Sequence, residues 1–228
     1  MIENQIGEDT ALVRRFERHI EDREFPCVGA KSALARDSLQ IVVCHDICSA
    51  WDDLRIHDIL SEWSVRYEAD PTGFRSLAFI FRSRRDLTEQ SFEEAMWERL
   101  QSLADKDAWK GQPYDSAVSA DPSDPHFGLS FGGQAYFVVG LHNAASRPAR
   151  RFARPVLVFN LHDQFAQLRT DGRYEKLRST ILKRDLELAG SENPMIARHG
   201  EISEARQYSG RQVGSDWRCP YRNPRTGS

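Results

Sequence analysis

Two histidines stand at the ends of apolar runs. His142 closes one in FVVGLHNAASR, and His162 follows another in VFNLHDQF. A side chain at a strand terminus points into the loop rim, where sites usually lie. Two strands each ending in histidine resemble the rim of a metal or haem pocket. The competing reading has each histidine bonding a loop or capping a helix. Imidazole is a common axial ligand of iron, and its second nitrogen then needs an orienting acceptor. Asp163 adjoins His162 in sequence, too close to be assigned that role. His126, in DPHFGLSFGG, is the weaker candidate; His19, His45, His57 and His199 read as surface or local structure.

Charge is concentrated nearby. RPARRFARP holds Arg147, Arg150, Arg151 and Arg154. A carboxylate or phosphate ligand would relieve their repulsion, because guanidinium binds such groups bidentately. A nucleic-acid patch is the rival reading, with no aromatic interleaved beyond Phe152; a solvated face is the third. The tail ISEARQYSGR carries Glu201, Glu204, Arg206, Tyr208 and Arg211. It is dense enough in hydrogen-bonding groups to close a ligand site, or it runs as an exposed tail. Cys44 and Cys48 flank His45 at a spacing zinc can use, but no second pair follows. Cys27 and Cys219 each sit beside a proline, and a Cys-Pro pair is a short haem-thiolate pattern. No P-loop, dinucleotide fingerprint, G-x-S-x-G elbow or H-E-x-x-H is present.

These residues need elements to hold them. Leu12, Val13, Phe16 and Ile20 have helical spacing over 9–22, behind Asp9 and Thr10. LQIVVC at 39–44 predicts a strand, and 51–67 a helix through Leu54, Ile59, Leu60 and Trp63. A turn at 70–75 precedes a strand at 77–82. Ser91 with Glu94 matches a capping box for a helix through Phe92, Met96, Leu100 and Leu103. Residues 107–128 read as a long loop. Strands follow at 134–141 and 155–161, then a helix with Phe165 and Leu168 and a longer one from Tyr174 to Leu188. Beyond Gly190 the chain is polar and little patterned. Interspersed elements without repeats predict a single α+β domain over 1–228, with a mixed, largely antiparallel sheet flanked by helices.

Composition sets the outer limits. The chain has 228 residues, 40% hydrophobic and 29% charged, which excludes collagen-like, coiled-coil and disordered classes. Its net charge of −3 argues against non-specific nucleic-acid binding. Four cysteines are too few for a disulfide scaffold. MIENQIGEDTALVRRF lacks the apolar stretch of a secretory signal, and no apolar run approaches the roughly 20 residues that cross a bilayer. A cytoplasmic protein is expected.

Three stretches occur together in one family. FPCVGAKSAL at 25–34, SADPSDPHFGLSFGGQAYFVVGLHNAASRPARRFARPVLVFNLHDQF at 119–165 and SENPMIARHGEISEARQYSGRQVGSDWRCPY at 191–221 resemble the YqcI/YcgG family, in matching order. Relatives commonly read GLHP where this chain has Asn143, so the histidine is kept and the loop loses a rigid residue. That family includes haem-dependent N-hydroxylases of guanidino nitrogens. The resemblance implies haem b (iron) and a monooxygenase acting on a small guanidino or amino compound, arginine-like. O₂ or peroxide would be the oxidant, with an unidentified electron donor. The apolar-run lengths and net charge above lead us to expect no membrane or nucleic-acid partner; a homodimer is open. From the resemblance His142 is expected to ligate the iron, His162 to be ligand or distal acid–base group, and Cys219 the third choice. Arg147, Arg150 and Arg151 are expected at propionates or a substrate carboxylate, and Glu201 and Glu204 at a cationic guanidinium. The alternatives are a haem sensor or carrier without turnover, and an interaction module using the arginines.

Overall fold

A computed structural model describes residues 2–196 and 200–225, with side chains from residue 5 onward. The apolar runs become strands β1 (Leu39–Cys44), β2 (Ser76–Phe81), β3 (Leu129–Phe131), β4 (Gln134–Leu141) and β5 (Val156–Leu161). They form one sheet in the order β1-β2-β5-β4-β3. β1 runs parallel to β2, and the remaining neighbours pair antiparallel. The fold is α+β with the mixed, largely antiparallel sheet expected.

Helices α1 (Ile2–Glu21), α2 (Val28–Ala35), α3 (Asp53–Ala69), α4 (Glu89–Trp109), α5 (His162–Thr170) and α6 (Tyr174–Ala189) complete the layers. β2 is buried along its whole length, as a strand covered on both faces must be. On one face Ile56 and Leu60 of α3 and Phe92 and Met96 of α4 pack on Phe79, Tyr136 and Phe159. On the other, Phe16 and Ile20 of α1 pack on Ala78, Ile80 and Leu141. Side chains alternate along β4, so Tyr136 and Val138 serve the first core while Val139 and Leu141 serve the second.

Some local features differ from the sequence reading. The α4 cap is Thr88, not Ser91: Thr88 Oγ1 accepts from the Ser91 N–H at 3.1 Å. β3 falls between the loop read at 107–128 and the strand read at 134–141, where no element was predicted. Gly132 and Gly133, at φ +57° and +77°, make the two-residue turn from β3 to β4, which needs left-handed backbone at both positions. α2 is a further element, opened by Cys27 Sγ accepting from the Ala30 N–H at 3.4 Å. Of the two readings left for His57, surface or local structure, the second holds: the ring is wholly buried. Its Nε2 lies 2.7 Å from Asp107, whose carboxylate also accepts from Gly132 N–H and Arg225. This knot ties α3, α4, the β3–β4 turn and the C-terminal segment together. No described helix is long and apolar enough to cross a membrane.

Candidate functional site

His162 is the first residue of α5, directly after β5. The strand-to-helix turn aims its imidazole into a cavity of about 160 Å³ walled by Phe137, Phe165, Leu177 and Ile181. The ring is buried, and its Nε2 lies 3.0 Å from Oε2 of Glu204. Glu204 opens a short 3₁₀ turn, Glu204–Gln207, in the segment after α6. The carboxylate beside His162 therefore comes from the tail and not from Asp163, which accepts from Tyr67 and Gln167 instead. Arg169, Tyr174 and Arg178 complete the polar lining of the cavity. Arg178 Nε is buried without a hydrogen-bond partner.

Gly128 is a site residue that no motif marks. A Cβ there would come within 3.1 Å of both His162 Nε2 and Val118. The absence of a side chain is what lets the imidazole lie against this backbone. The signal was present in FGLSFGG, but glycine spacing alone does not single out one position.

A second cavity of about 240 Å³ adjoins the first, sharing Phe137, Ile181, Ile196 and Gln207 in their walls. It lies over the α1 face of the sheet, with Val139, Leu141, Cys27 and Asp185 in its lining. Together the two fall within the range of ligand pockets, about 300–1,000 Å³.

His142 is on the other side of the sheet. It follows Leu141 and so faces α4, where its ring stacks on Phe92 at 4.3 Å between centroids and 20° between planes. Its backbone bonds Arg150 and Phe152. The ring is fully buried, lines neither cavity, and leaves both nitrogens without a partner. Burial pushes its pKa down to about 4, so the imidazole is neutral.

The arginine run is engaged mainly within the protein. Arg147 donates to the Asp185 carboxylate of α6 and to Ser191 and Glu192. Arg150 donates to the carbonyls of Gly140, Gln207 and Tyr208 at 3.0–3.3 Å, pinning the tail onto β4, and burial lowers its pKa to about 10. Arg151 donates to the carbonyls of Ala145 and Ser146. Arg147 and Arg150 line the second cavity; Arg151 lines neither.

Glu201 and Cys219 meet elsewhere, in a surface cleft with Arg206, Trp217 and Arg218. The Cys219 thiol is pushed up to about 12 by burial, against the thiolate form. Cys44 is buried in the larger core and Cys48 packs against it. His199 lies outside the described residues. Among the described residues no group of three His, Cys, Asp or Glu side chains is placed to hold a metal ion. Of the expected site residues, His162 and Glu204 share the first cavity, Arg147 and Arg150 the second, and Glu201 and Cys219 the surface cleft.

The residues present fit a haem in kind at His162. An imidazole backed by a carboxylate, apolar walls and two guanidiniums for carboxylate tails are the donor set that such a group needs. His142 has unpartnered nitrogens but no adjoining cavity. The profile of the YqcI/YcgG family matches residues 16–222. No curated protein and no solved structure matches the chain.

Proposed function

The chain belongs to the YqcI/YcgG family, and on that premise we propose that it is a haem-dependent oxygenase hydroxylating a nitrogen of a small guanidino or amino compound. The observation that carries this reading is the His162–Glu204 pair, 3.0 Å apart on the wall of an apolar cavity. His162 would hold the iron, and Glu204 would orient the ring through its other nitrogen. Arg169 and Arg178 would receive the propionates, as guanidinium pairs with carboxylates in a fixed fork. The haem, when bound, supplies the oxidation chemistry. The chain does the rest. Phe137, Phe165, Leu177 and Ile181 would pack on the bound group and keep water from its inner face, which strengthens each charge contact there.

The test is spectroscopic and then chemical. Protein reconstituted with haem should show a Soret band that His162→Ala abolishes or shifts and His142→Ala preserves. The reverse pattern moves the ligand to His142. Failure to retain haem in stoichiometric amount refutes the class. With reductant and O₂, or with peroxide, arginine or a related compound should gain one oxygen by mass spectrometry. Haem retention without any product across such compounds leaves a carrier and overturns the enzyme reading.

A further inference from the structure

The second cavity carries charge that its walls do not explain. Those walls are apolar, with Phe16 and Ile20 from α1, Val139 and Leu141 from β4, Val158 from β5 and Ile181 from α6. Among the described lining residues the charged side chains are Arg147, Arg150 and Asp185, two cations against one anion. Asp185 is 4% exposed, and its carboxylate is taken by Arg147. Arg150 bonds only main-chain carbonyls, those of Gly140, Gln207 and Tyr208, which carry no net charge. Burial lowers its pKa to about 10, with no carboxylate in contact to restore it.

Both guanidiniums also keep unused donors. A guanidinium has five N–H groups. Arg147 Nε is buried and meets no acceptor. Arg150 donates twice from Nη1 and once from Nη2, so its Nε and one Nη2 hydrogen reach no acceptor among the described residues. Unpaired buried charge and unmet donors are costly, and a ligand that supplies an anion removes both costs. The walls select the rest of that ligand, since apolar surface is best covered by an apolar body. A cationic body would add a third positive charge, and a dianion would leave surplus negative charge against apolar side chains. One carboxylate balances the lining.

We propose that the second cavity binds a small carboxylic acid with an apolar body, its carboxylate held by Arg147 and Arg150. The guanidinium fork suits a carboxylate in particular. At about 240 Å³ the cavity admits a short alkyl chain or a single phenyl ring as that body. The occupant would lie on Phe137 and Ile181, which also wall the His162 cavity. The site uses neither His162 nor iron, so it stands whether or not the oxygenase reading does.

Hexanoate and hydrocinnamate are the probes, titrated calorimetrically into haem-free protein. Both should bind one to one and raise the melting temperature. Acetate, which lacks the body, and methyl hexanoate, which lacks the charge, should bind roughly tenfold more weakly at the least. Val139→Phe fills the cavity from β4 and should abolish hexanoate binding with the circular dichroism spectrum unchanged. Arg150→Met should abolish it too; should that variant fail to fold, the comparison with the methyl ester decides the charge. Absence of hexanoate binding at millimolar concentration, equal affinity for the methyl ester, or full binding by Val139→Phe overturns the proposal. So does one-to-one displacement of hexanoate by haem, which would make the carboxylate in this cavity a haem propionate. Haem loading that leaves hexanoate affinity intact supports a separate site, and failure to retain haem refutes only the oxygenase.

Discussion

Replacing His142 by phenylalanine should stabilise the haem-free protein, and by an amount that grows as the pH falls. The imidazole is fully buried against Phe92, with both nitrogens unpartnered. Each unsatisfied polar atom in such a place costs about 1–3 kcal/mol. A phenyl ring keeps the shape and the stacking and removes those atoms, so His142→Phe should gain roughly 1–3 kcal/mol even at pH 8, allowing for imperfect fit. The pH term adds to this. In the folded protein the pKa is lowered from 6.5 to about 4 by burial. The unfolded chain takes up the proton first, so wild-type stability is intact above pH 6.5 and falls between pH 6.5 and 4. At about 1.4 kcal/mol per pKa unit the loss is on the order of 3 kcal/mol. Carboxylates titrate in the same window in both proteins and cancel in the difference. Urea unfolding of wild type and variant at pH 8, 6, 5 and 4 should give difference values that widen toward acid. Parallel curves from pH 8 to 4 would refute the burial argument, and would mean that the imidazole reaches water or a proton acceptor.

Two other substitutions probe the parts that position the site. Arg150→Met removes a donor from three carbonyls, of which that of Tyr208 keeps the Gly140 N–H and that of Gln207 the Gly210 N–H, and should cost roughly 3–5 kcal/mol. At about 2–4 °C per kcal/mol for a chain of this size, the melting temperature should drop by roughly 6–20 °C; a drop under about 2 °C removes Arg150 from the role of staple. Gly128→Ala puts a methyl group 3.1 Å from His162 Nε2 and should weaken haem affinity while costing about 1–3 kcal/mol in stability. Unchanged haem titration and melting in that variant would show that the imidazole has room to retreat.

The strands and long helices were legible because local pattern decides them. QAYFVVGL specified β4 to the residue, and the spacing of Phe92, Met96, Leu100 and Leu103 marked the buried stripe of α4. β3 escaped because three residues between glycines carry too short a pattern. The site was legible only in its chain-local half. His162 at a strand end was visible, but its carboxylate arrives from beyond α5 and α6, and no spacing rule spans two helices. His142 looked equivalent to His162, since both end strands. Their difference lies in which face of the sheet each ring meets: Leu141 faces α1, so His142 must face α4. The arginine run was read as wanting a carboxylate or phosphate ligand, and the sequence could not say that Asp185 of α6 and main-chain carbonyls engage it from within the protein.

The tail that Arg150 fastens to β4 also sets an order of assembly. Synthesis delivers the N-terminal part first. The sheet and His162 can be in place while residues 204–208 have yet to dock, and until then the histidine faces its cavity without Glu204. Completion of the site is thus one of the last long-range events along the chain. Tyr208 enters the larger core in the same step, so the His162–Glu204 pair forms only as the last part of that core closes.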